Sequence, residues 1–110
     1  MGNIEKELDD EESKLLKESE ELHRKYDIDY SSAESFVGSV VNALLDYLDE
    51  ETLNFVKDTP VLWLHMSLGM WIRNVFIWGY MNELDSFRIH PDDLSHMILE
   101  SLKNKLKETM

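Results

Sequence analysis

The chain has 110 residues, no cysteine, and a formal net charge of −12 from 23 acidic against 11 basic side chains. The length sets one domain with one modest core. The charge repels nucleic-acid backbones, anionic membranes and phosphate-rich ligands, and the lack of cysteine excludes disulfides, thiolate metal sites and cysteine nucleophiles.

Residues 1–30 hold 11 acidic and 5 basic side chains. No apolar stretch of a signal peptide opens the chain, and Lys6 stands where a myristoylation signal has Ser or Thr, so a cytoplasmic protein is expected. Leu8, Leu15 and Leu22 recur every seven residues, with Ile4 and Tyr26 offset by four. This spacing predicts a helical arm carrying one narrow leucine stripe. Heptad spacing favours pairing with a second copy, with docking on the same chain as the other option. Asp27-Ile28-Asp29-Tyr30 reads as a break, leaving a core domain over residues 31–110.

Ser31-Ser32-Ala33-Glu34 resembles a capping box, with Ser31 as the cap and Glu34 three residues on. Phe36, Val37, Val40, Val41, Leu44, Leu45 and Leu48 follow at helical spacing. The valines are poor helix formers, so burial must hold this helix. Asp49-Glu50-Glu51 opens a short helix carrying Leu53 and Val56. Asp58-Thr59-Pro60 stops it and starts the next, which is expected to run to Asn74 or Trp78.

From Pro60 to Tyr80, Arg73 is the only charge. A helix apolar on so many sides is expected to be surrounded by others, with its tryptophans Trp63, Trp71 and Trp78 in the core. Gly69 is expected to admit a close neighbour and Gly79 to end the helix. The final helix starts at His90-Pro91-Asp92-Asp93 and buries Leu94, Ile98, Leu102 and Leu106, with Met97 beside them. The expected fold is all-α: four or five helices around a buried central helix, with the acidic N-terminal arm.

An unpaired buried guanidinium is strongly destabilising, so Arg73 is expected to pair with Asp92 or Asp93. His65, His90 and His96 beside those aspartates do not amount to a metal motif, because no His-Glu-x-x-His is present. Ser67 and Ser95 lack a glycine elbow. Asp27-x-Asp29-x-Ser31 opens like a calcium loop, but Ser32 and Gly38 replace the glycine and glutamate it needs. No catalytic residue, metal or cofactor is expected.

Leu64-His65, Leu68-Gly69-Met70-Trp71-Ile72-Arg73-Asn74, Trp78 and His90-Pro91-Asp92-Asp93-x-Ser95-x-x-Ile98 together resemble a family known only as a domain of unknown function, of small bacterial and phage proteins. The resemblance runs from about Ser32 to Leu106. It implies that Arg73, Asn74, Asp92, Asp93 and Ser95 form one structural constellation, and implies no activity.

The leading functional expectation is a non-enzymatic acidic binding protein. Such a protein is an inhibitor, an immunity protein or a phage-encoded anti-defence protein that occludes a basic surface of another protein. Leu8, Leu15, Leu22, Glu11 and Glu12 are candidate partner-binding residues. The alternatives are a self-associating accessory protein and, third, a ligand binder or enzyme built around Arg73 and the Asp92/Asp93 pair. Neither direct nucleic-acid nor membrane binding is expected.

Overall fold

The computed structural model describes the backbone of residues 2–108 and the side chains of residues 14–108. The fold is all-α. Among the described residues seven α-helices follow in order: α1 (Gly2–Lys25), α2 (Ala33–Tyr47), α3 (Glu50–Asp58), α4 (Val61–Met66), α5 (Leu68–Ile72), α6 (Met81–Leu84) and α7 (Pro91–Glu108). A π turn (Arg73–Ile77) and a 3-10 turn (Trp78–Tyr80) join α5 to α6, and a second 3-10 turn (Asp85–Phe87) follows α6.

The caps show why the chain divides where it does. Ser32, rather than Ser31, caps α2, its hydroxyl accepting from the Ser35 amide at 3.1 Å. The Ser31 amide is instead taken by Asp29 at 2.8 Å. Glu34 therefore lies in the first turn of α2 and is not the closing residue of a capping box. Asp49 caps α3 through the Thr52 amide at 2.8 Å; that hydrogen bond holds the Asp49 carboxyl below the usual carboxylate range. At the start of α7, the His90 ring accepts from the Asp92 amide at 3.1 Å, and Pro91 is the first helical residue.

The principal helix pair is α2 with α7. Phe36, Val37, Val40, Val41 and Leu44 are buried against Leu94, Ile98, Leu99, Leu102 and Leu106 in a single core. The α7 helix packs on α2, α3, α4, α5 and the π turn, so it is the hub of the bundle. Lys103 on α7 ties α3 down: its ammonium donates to the carbonyls of Val56 and Lys57 at 3.2 Å and also to that of Thr59. These are carbonyls at the C-terminal end of α3, where a cation is favoured.

The expected central helix is not continuous and is not surrounded. Ser67, at φ −110° and ψ −84°, separates α4 from α5. After Ile72 the chain widens by one residue, and the amide of Trp78 bonds the carbonyl of Arg73. Gly79 lies in the 3-10 turn and does not stop a helix by a left-handed conformation; that conformation belongs to Arg88, at φ 54°, before α7. Gly69 does sit at a close approach. A Cβ there would lie 3.3 Å from the Leu64 carbonyl oxygen and 3.4 Å from both Arg73 Nη1 and Leu99 Cδ1.

The arm is a helix, and the second half of its stripe is closed by its own chain. Leu22 is in the common core, which removes the need for a second copy at that position. Ser19 and Glu18 fasten α1 further. Glu18 accepts from Trp71 Nε1 at 3.1 Å and from the Tyr47 hydroxyl at 3.2 Å, while those two rings stack at 6.0 Å.

Candidate functional site

Arg73 begins the π turn, which carries it beneath α7. Its side chain is 10% exposed. Nη1 donates to Ser95 Oγ at 2.9 Å, and Ser95 Oγ in turn donates to the Asp92 carbonyl at 2.9 Å. Nε lies 3.4 Å from an Asp92 carboxylate oxygen, and Nη2 donates to the His65 carbonyl at 3.5 Å. Arg73, Asp92 and Ser95 are thus brought together. Asn74 and Asp93 are not: both are exposed, and Asn74 faces a groove beside α1. Adjacent helical residues point some 100° apart, which is why Arg73 and Asn74 part company.

This cluster locks α4, the π turn and α7 to one another. The Asp92 carboxylate is 52% exposed, but the guanidinium is covered and each of its three nitrogens faces a protein oxygen. The geometry is that of an anchor. Among the described residues, no group of three or more His, Asp or Glu side chains is placed to hold a metal ion. His96 pairs with Glu100 on α7, and His90 caps that helix.

The helices beside the anchor, α4 and α5, leave large apolar side chains open. Leu62 is 78% exposed, Trp63 69%, Met66 70% and Met70 49%. Leu62, Trp63 and Met66 stand open on α4, and Met70 on α5 across the Ser67 break. Asn74 in the π turn and Trp78 after it are also exposed. The expected burial of the tryptophans therefore holds only in part: Trp71 is half-buried, while Trp63 and Trp78 stand in solvent. Leu64, Ile72, Val75 and Phe76 on the inner side complete the core without them. Both sides of this segment are apolar in sequence, so periodicity alone shows a buried helix. Only the supply of covering helices decides which side stays open.

Of the candidate partner-binding residues, Leu22 is buried in the core and unavailable. Leu15 is half-buried and lines a groove of about 420 Å³ with Leu16, Ser19, Glu20, Asn74, Gly79 and Tyr80. Leu8, Glu11 and Glu12 lie outside the residues whose side chains are described. No described helix is long and apolar enough to cross a membrane.

The chain belongs to a family described as a domain of unknown function, DUF6794, whose model matches residues 37–106. The match spans the open face and the Arg73–Ser95–Asp92 anchor, and leaves out α1. No curated protein and no solved structure matches the chain.

Proposed function

We propose that this protein is a non-enzymatic binding module that docks on another protein through Leu62, Trp63, Met66 and Met70. One observation carries the reading: four large apolar side chains stand open on one short stretch, on a chain of net charge −12. Leaving such side chains in water forgoes about 1.5–3 kcal/mol of possible burial each. Tryptophan is the residue type most enriched at binding hot spots, and methionine adapts to irregular partner surfaces.

The partner fitting this face has an apolar pocket rimmed by Lys and Arg. The net charge of −12 steers such a rim inwards, and the uncharged stripe then fills the pocket. Occlusion of a basic functional surface in the cytoplasm is the mechanism, as for small acidic inhibitors and immunity proteins. The buried Arg73 supports this reading over a ligand site, because each of its nitrogens already faces a protein oxygen.

The test is calorimetric. A protein captured from native host extract is purified and titrated against the wild type and against Trp63→Ala and Met66→Ala. The Trp63 change is expected to weaken binding about thirtyfold, the effect of losing a hot spot of about 2 kcal/mol. Unchanged affinity in both variants, or a complex indifferent to salt, contradicts the proposal.

A further inference from the structure

We propose that His23 is an acid-sensitive latch, and that its protonation releases α1 from the π and 3-10 turns it covers. The latch is built from three parts of the chain. On α1, His23 Nδ1 lies 2.8 Å from the Ser19 carbonyl oxygen. A carbonyl can only accept, so Nδ1 carries the hydrogen. In the neutral ring, Nε2 is then an acceptor, and the Tyr30 hydroxyl, 2.7 Å away in the segment after α1, donates to it. The imidazole stacks on Tyr80 of the 3-10 turn at 3.9 Å and leans on Phe76 of the π turn at 5.5 Å.

Protonation changes this geometry at one atom. Nε2 becomes a donor, so the Tyr30 hydrogen must turn away from its one acceptor among the described residues, in a half-buried place. A positive charge must also be carried by a ring packed against Tyr30, Phe76 and Tyr80. The charged and titratable groups facing it are Tyr30 and Tyr80 on the covered side and Glu83 on α6; the Glu83 carboxylate favours the cation but does not offset the burial. Burial accordingly sets the His23 pKa below its ordinary value.

The direction of the effect follows. The undocked ring binds its proton near the ordinary histidine value of about 6.5, and the docked ring only at lower pH. The contribution of His23 to docking is complete above about pH 6.5 and is lost as pH falls from there through the docked pKa. The same helix carries Leu22, Ser19 and Glu18 onto the body, so its release uncovers Phe76, Tyr80 and Trp71.

Amide hydrogen exchange on the full chain, with protection factors compared at pH 7.5 and pH 5.5, tests the latch. Protection of residues 17–25 is expected to fall about threefold or more relative to residues 98–106. In His23→Phe, which keeps a stacking ring without a titrating nitrogen, the relative protection is expected not to change with pH. In parallel, the His23 ring of the wild type is titrated by NMR and is expected to gain its proton below the free-histidine value. Equal loss of protection in α1 and α7, the same pH response in His23→Phe, or a His23 pKa at or above 6.5 overturns the proposal. Should His23→Phe fail to fold, the wild-type ring titration decides.

Discussion

The hydroxyl of Ser19 donates to the carbonyl oxygen of Val75 at 2.6 Å, across 56 positions of sequence. It joins the N-terminal helix to the middle of the π turn, and both partners are buried. Ser19→Ala leaves that buried carbonyl without its hydroxyl donor, and is expected to destabilise the fold by about 1–3 kcal/mol. A shift of the urea midpoint measures it. A midpoint equal to that of the wild type contradicts the anchoring of α1.

The Arg73 cluster predicts an order of effects rather than a single number. Ser95→Ala removes a buried acceptor of the guanidinium and is expected to cost about 1–3 kcal/mol. Asp92→Asn removes a carboxylate that is half in solvent, and is expected to cost less than about 1 kcal/mol. Arg73→Ala is expected to exceed both, up to the roughly 3–5 kcal/mol seen when one member of a buried pair is removed. Denaturant titrations of the three variants give the order. Asp92→Asn proving the worst of the three contradicts the view that the serine, more than the ion pair, holds the guanidinium.

Two glycines on helices separate backbone freedom from close approach. Nothing lies within 4 Å of a Cβ added at Gly38, in the middle of α2, so Gly38→Ala is expected to stabilise by about 0.5–1 kcal/mol. At Gly69 the same methyl presses on the Leu64 carbonyl, Arg73 and Leu99, and Gly69→Ala is expected to give no gain or a loss. Thermal melts of the pair show whether the two signs differ. Equal gains contradict the packing of α5 on α7.

What was legible in the sequence follows the number of apolar faces on each helix. The α2 and α7 helices each show one apolar stripe, and Val40, Leu44, Ile98 and Leu102 are buried as that spacing requires. The segment from 61 to 80 is apolar all round, so the same rule puts Trp63 and Met66 inside, and the structure leaves them outside. The π turn leaves no mark in residue spacing. Arg73 was visible as a lone charge among apolar residues, but the use of Ser95, and not Asp93, depends on how α7 is rotated. Ser19 and His23 are not legible as contacts because they lie among charges on a helix whose only apolar signal is its leucine stripe. For Ser19 the signal is its spacing of three residues from the buried Leu22 and four from Leu15 on the same stripe; His23 shares a helix face with Ser19, four residues before it, and carries no signal of its own.

The central claim is that the open face of α4 and α5 is where another protein sits. Site-specific photo-crosslinking tests it most directly. A benzophenone side chain is placed at Met66, at Met70 and, as a control, at the exposed Asn42 of α2, and the folded protein is irradiated in native host extract. The account predicts one dominant protein adduct at 66 and 70 that is absent at 42, diminished at high salt and lost when Trp63→Ala is added. Adducts of equal yield at all three positions, or adducts at 66 and 70 that contain only a second copy of this chain, contradict it.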